Sequence, residues 1–175
     1  MIHPDFWTDG DMIALPDSAC LLFIAIWTIA EDSGVVKYDP YEFKGRCRPN
    51  KTYDELKDIV KILIDKNFKL VPYRVNGGQY LFIKNFHKWQ AIPRPSSPRL
   101  PIPYWILYGD AEERHKKRYF VNIEQMERYC DYLLEKKKNK QELEEMKKIK
   151  AILVSEPAKK RLKEPGTDNQ LLKEL

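Results

Sequence analysis

Twelve consecutive uncharged residues, Ala19 to Ala30 (ACLLFIAIWTIA), constrain this chain more than any other stretch. A bilayer span needs about 20 such residues, so the run is too short to cross a membrane, and it is too apolar to lie in water. It predicts a helix in a protein core. Pro16, suited to a first helical turn, precedes it, and Gly34 is placed to close it. Cys20, Phe23, Ile24 and Trp27 recur at i, i+3, i+4, i+7 spacing. Leu21, Leu22, Ile26 and Ile29 widen the apolar surface until most sides of the helix need cover.

The residues after Gly34 must supply that cover. In DPYEFKGRCRP, Asp39 is placed as an N-cap, Pro40 at the first helical position and Pro49 as the stop, which predicts a second, short helix. TYDELKDIVKILIDKNF predicts the third. Thr52 and Glu55 stand in capping-box spacing, and Leu56, Ile59, Val60, Leu63 and Ile64 form one stripe. FKLVPYRV and QYLFIKNF then flank Asn76, Gly77 and Gly78, residues that accept the positive φ of a tight hairpin turn. Three helices and a hairpin within about 75 residues is the element order of a winged helix-turn-helix domain. The expected fold class is α+β, mainly α.

Charge is distributed unevenly along this order. Met1–Phe43 has one basic residue against eight acidic, whereas residues 44–99 have thirteen basic against four acidic. The basic middle is the part suited to a polyanion. Lys44, Arg46, Arg48 and Lys51 fall on or just after the second helix. Lys57 and Lys61 lie one turn apart on the polar face of the third, and Arg74 and Asn76 stand at the hairpin tip. With Lys88 and Arg94 further on, they are the candidate DNA-binding residues. Asp54, Asp58 and Asp65 alternate with the helix-three cations and weaken the local field, so phosphate contact is expected of that helix before base reading. Neutralising about five to seven phosphates would make log affinity fall with log salt at a slope of roughly −4 to −6.

Other chemistries find little support. Cys20, Cys47 and Cys130 are odd in number and widely spaced, which excludes a disulfide framework and a Cys-x-x-Cys knuckle. His87, His3 and His115 have no ligand-spaced partners, so no metal is expected; His87 and Lys88 are read as bonding nearby backbone while Phe86 and Trp89 seal the domain. Asp9 and Asp11 are read as loop and cap residues. No Gly-rich phosphate loop, activated nucleophile or carboxylate cluster occurs, so neither an enzyme nor a cofactor is expected. The start, MIHPDFWTDGDM, has no basic n-region, which predicts a cytoplasmic protein without a membrane association.

The expected boundaries are a DNA-binding domain over 2–90, a proline-rich spacer over 91–103, a helical extension over 104–156 and a loosely ordered tail over 157–175. In the spacer, Pro95, Pro98 and Pro101 recur every third residue, as on one edge of a polyproline II helix leading stiffly away. YWILY, Tyr104 to Tyr108, needs burial. From Asn122 and Gln125, in capping-box spacing, Ile123, Met126, Cys130 and Leu133 predict a helix seam for packing on the first domain or on a second copy of the chain. Leu143, Met146, Ile149 and Leu153 resume it in a shifted register before Pro157.

Three phrases, HPDFWTDGDMIAL, ACLLFIAIWTIAEDSGVVKYDPYEFKGRC and YLFIKNFHKWQAIPRPSSPRLP, together resemble the N-terminal winged-helix domain of phage and prophage replication proteins, the replisome-organiser and DnaD-like group. The resemblance runs from Ile2 to Pro101. Trp89 departs from it, standing where that group commonly has a second His or another aromatic. It implies double-stranded DNA binding at a replication origin and recruitment of a host helicase or its loader through the C-terminal part. A transcription regulator and a winged module that binds protein without DNA are the alternatives to that function.

Overall fold

The computed structural model of the chain describes residues 4–110 and 117–154, with side chains through residue 148. The expected tail, the run around His115, the seam side chains Ile149 and Leu153, and His3 lie outside the described residues. The chain divides into two units, Met1–Cys130 and Asp131–Leu175.

In the first unit a 3-10 turn (Pro4–Phe6) leads to α1 (Gly10–Ile13), capped by the Asp9 carboxylate, which accepts from the backbone N–H groups of Asp11 and Met12. Asp9 and Asp11 both also pair with Lys69, so these carboxylates act as cap and anchor. The apolar run forms α2 (Asp17–Ile29). Its buried residues are Ala19, Leu22, Phe23 and Ile26, while Cys20, Ile24 and Trp27 are half-buried and Leu21 is exposed. The core-facing stripe is thus shifted back by one residue from the one the spacing singled out and shares only Phe23 with it.

Two expected ends differ. Pro16 is the N-cap and not a first-turn residue, and the helix stops at Ala30, whose ψ of 148° is extended. Gly34 closes no helix. It sits four residues further on at φ +75°, where its N–H donates to the Glu31 carbonyl and turns the chain into β1 (Val35–Lys37). At three residues, β1 is too short to show strand periodicity.

Asp39 caps α3 (Pro40–Glu42) through the N–H groups of Tyr41 and Glu42, and the chain continues as a π turn over Phe43–Cys47. The capping box of α4 (Tyr53–Asp65) is complete: Thr52 Oγ accepts from Glu55 N–H, and the Glu55 carboxylate accepts from Thr52 N–H. The Lys51 ammonium on that carboxylate, then the Thr52 amide, hold the Glu55 pKa down to about 2. Leu56, Ile59, Val60 and Leu63 are buried as the stripe predicts, with Ile64 at its half-buried edge.

The hairpin is β2 (Leu70–Val75) and β3 (Gly78–Ile83), joined by Asn76 and Gly77. Both turn residues have positive φ, 48° and 79°, as a type I′ turn requires. β3 is central. It pairs antiparallel with β2 and with β1, in the order β1-β3-β2. Alternation then splits the sheet between two cores. Val36, Leu70, Leu81 and Ile83 pack with α2, Phe43 and α4, whereas Val35, Val71, Tyr73 and Phe82 face Trp105, Ile106, Met126 and Cys130. The fold is therefore α+β, with small antiparallel sheets.

The second core corrects the expected layout. Residues 91–103 do not lead away from this body; after α5 (Phe86–Trp89) they form a strap along it. The Asp32 carboxylate accepts from Ser96 N–H at 2.8 Å, and Glu31 accepts from the N–H groups of Arg99 and Leu100, each at 3.1 Å. Three tyrosine hydroxyls hold the strap's carbonyls: Tyr73 donates to Pro101, Tyr108 to Pro95 and Tyr119 to Ser96. Residues 104–121, expected as the first part of a helical extension with Tyr104 to Tyr108 needing burial, include β4 (Ile106–Asp110) and β5 (Lys117–Val121), which pair antiparallel. α6 (Ile123–Val154) follows. Of its expected seam, Met126 and Cys130 are buried in the second core, and Ile123 is exposed. The Asn122 side chain accepts from Gln125 N–H at the start of the helix.

In the second unit the described residues, 131–154, are all helical. Tyr132, Leu134, Leu143 and Met146 are exposed on it. No helix among the described residues is long and apolar enough to cross a membrane.

Candidate nucleic-acid interface

Local structure decides what each candidate cation can offer. The π turn and the loop after it carry Lys44, Arg46, Arg48 and Lys51. The Lys44 ammonium donates to the carbonyls of Pro49 and Lys51 and lies 5.7 Å from the centre of the Tyr53 ring, so it staples the loop to the start of α4. Arg46 pairs with Glu42 at 2.7 Å, one turn back, and Lys51 with Glu55 at 2.8 Å. Arg48 is half-buried, with Nη1 shielded from solvent, and is the least available of the set.

On α4, Lys57 pairs with Asp54 at 3.0 Å, which holds its ammonium pKa above the usual lysine value. Lys61, one turn on, is exposed and makes no ion pair among the described residues. Arg74 and Asn76 are exposed at the hairpin end, and the tip is not packed into the body. Lys88 lies over the Trp89 ring at 4.8 Å, and Arg94 is exposed on the strap. The ten residues therefore fall on three parts of the first unit: the α3–α4 region, the hairpin tip, and α5 with its strap. Lys61, Arg74 and Arg94 have no ion pair among the described residues. Arg46, Lys51 and Lys57 are held by surface carboxylates, a weak attachment that a phosphate can displace.

Sequence reasoning passed over two residues here. Tyr41 and Tyr53 stand in the first turns of α3 and α4, outside any apolar stripe, and their rings meet on the surface with centroids 4.2 Å apart. The available signal was an aromatic residue next to a helix cap, at a position no core required. Glu31 and Asp32, which fasten the strap, carried no signal, because the strap was expected elsewhere.

His87 is structural in this arrangement. Its Nε2 donates to the Asp32 carbonyl at 3.0 Å, and its ring packs between Phe82 and Tyr119. Burial lowers its pKa, outweighing the opposing pull of the Asp32 carbonyl. Above the unfolded value of about 6.5 both states are neutral; below it the unfolded chain takes up a proton that the folded chain resists, and stability falls. Urea midpoints measured from pH 8 to pH 5 are expected to show a smaller acid-side decline for His87→Gln than for the native chain. Equal declines would remove this assignment.

No group of three or more His, Cys, Asp or Glu residues is placed to hold a metal ion among the described residues, and the three cysteines are free thiols. Comparison with protein-family models, with curated proteins and with solved structures finds no match.

Proposed function

We propose that the first unit is a winged helix-turn-helix domain that binds double-stranded DNA. One observation carries the reading: α2, β1, α3, α4 and a β2–β3 hairpin follow in that order, the sheet runs β1-β3-β2, and the hairpin tip with Arg74 stands free in solvent. In such a domain α4 lies toward the major groove and the hairpin toward the backbone beside it. Lys57, Lys61 and Arg74 are then the principal phosphate contacts, with Lys44, Arg46 and Lys51 flanking them.

Fluorescence anisotropy on a labelled duplex between 50 and 200 mM salt tests this. The log–log slope is expected near −4 to −6, and Lys57→Ala, Lys61→Ala and Arg74→Ala combined should reduce its magnitude by roughly 2–3, about 0.9 for each phosphate no longer neutralised. A flat salt dependence of the native chain would remove the proposal.

The resemblance to phage replication proteins supports a role in initiating or organising replication in the cytoplasm. The second unit would then recruit a host helicase or loader, or a second copy of the chain, through its exposed Tyr132, Leu134, Leu143 and Met146. Sequencing the genomic fragments that the protein retains separates this role from transcription regulation, by placing the site in an origin or beside a promoter. A different observation favours a protein-binding module. Asp54, Asp58 and Asp65 are all exposed on α4 beside Lys57 and Lys61, a mixed surface that suits a protein partner as well as phosphate. That reading requires negligible duplex affinity before any substitution.

A further inference from the structure

Tyr41 and Tyr53 are unusual surface residues. Tyr41 is 68% exposed and Tyr53 38%, although the apolar side chains that follow them, Phe43 and Leu56, are buried. Their rings are tilted at 46° with centroids 4.2 Å apart, so each partly covers the other and Tyr41 keeps an open flank. The surroundings are cationic. The Lys44 ammonium lies 5.7 Å from the Tyr53 ring, and Lys57 is within electrostatic reach of Tyr41. Tyr53, Lys57 and Lys61 recur every fourth residue and form one row along α4. At 1.5 Å per residue that row is ~12 Å long, room for about two phosphates of an extended single strand.

An aromatic ring followed by a line of ammonium groups is the arrangement that grips single-stranded nucleic acid, by stacking on a base and tracking its backbone. A duplex cannot use the ring fully, because its base faces are already stacked and only base edges reach a protein. We propose that the Tyr41–Tyr53 pair is a stacking platform for an unpaired DNA base, with Lys57 and Lys61 following the strand's phosphates. The site rests on the DNA-binding reading above and deepens it. The same surface that meets a duplex through its cations prefers DNA in which a base has been freed, as at an opened origin or a single-stranded gap.

The test uses the full chain and three fluorescein-labelled probes read by anisotropy: a 12-nucleotide oligodeoxyadenylate, an abasic 12-mer with the same phosphates, and a 20-base-pair duplex. The native chain is expected to prefer the adenine-bearing strand to the abasic one. Tyr41→Ala should weaken adenine-strand binding by about 10- to 100-fold, the range of one base stacked on an aromatic ring, and leave the abasic and duplex affinities within about twofold. Tyr41→Phe, which keeps the ring, should behave as the native chain. The proposal is overturned if Tyr41→Ala binds the adenine strand as tightly as the native chain, or if the native chain does not distinguish the adenine from the abasic strand. Failure of the duplex reading shows separately, as adenine-strand binding that persists when the native chain ignores the 20-base-pair probe.

Discussion

Replacing Trp105 with Ala is expected to cost about 3–5 kcal/mol of folding stability. Trp105 is 1% exposed and lies between the outer face of the sheet and the start of α6. Its ring contacts Tyr73 and Phe82 on one side and Tyr129 on the other, at centroid distances of 5.8, 6.4 and 4.8 Å. Its carbonyl accepts from Asn122 N–H, immediately before the helix. Truncation therefore opens a cavity in the core where strap, sheet and helix meet. Domains of this size are stable by about 5–15 kcal/mol, so a urea titration should show the midpoint moving far down at unchanged slope. A loss below about 1 kcal/mol would mean that residues 104–130 are not part of the folded body.

Gly34→Ala should cost about 2–4 kcal/mol, from two sources that a companion variant separates. The residue has φ +75°, and a Cβ there would lie 2.9 Å from both Cβ and Cγ of Phe86. Phe86 is buried against Trp27, with ring centroids 5.6 Å apart, and cannot withdraw without disturbing the first core. Gly77 has nearly the same φ, +79°, but open space where a Cβ would stand. Gly77→Ala should thus show the backbone strain alone, about 1–2 kcal/mol. The difference between the two, measured in the same urea series, is the steric share. If the two variants lose equal stability, the close packing of Phe86 over Gly34 is wrong.

The contrast between these glycines also shows why parts of the fold were legible in the sequence and others were not. Asn76-Gly77 announces its turn because the chemistry is local: two positive φ values between two runs of strand formers. The same is true of Thr52 with Glu55 and of Asp39 with Pro40, where cap and helix lie within four residues. Gly34 carries the same φ preference, but its role depends on Phe86, more than fifty residues away. β1 was hidden for a related reason, since Val35 and Val36 become a strand only by pairing with Phe82 and Leu81.

The same division holds for the candidate interface. Charge type and helix face were readable for Lys57 and Lys61, but that Asp54 holds Lys57, while Lys61 has no ion pair among the described residues, depended on rotamers. The prolines of the strap suggested stiffness, and stiffness suggested departure. What reverses the direction is the pair of carboxylates at Glu31 and Asp32, which no pattern linked to residues 96–100.

That fastening has a consequence for how the chain can change over generations. The bonds that seat the strap on Glu31 and Asp32 come mainly from peptide groups, and its own carbonyls receive the tyrosine hydroxyls. Any residue other than proline supplies such a donor, and every residue supplies such an acceptor. Substitutions at Ser96 or Ser97 can therefore accumulate without loosening the join, while the two acidic positions, and Arg99 whose guanidinium pairs with Glu31, are held in place. The strap is ground on which a lineage can explore new surface chemistry at little risk to its architecture.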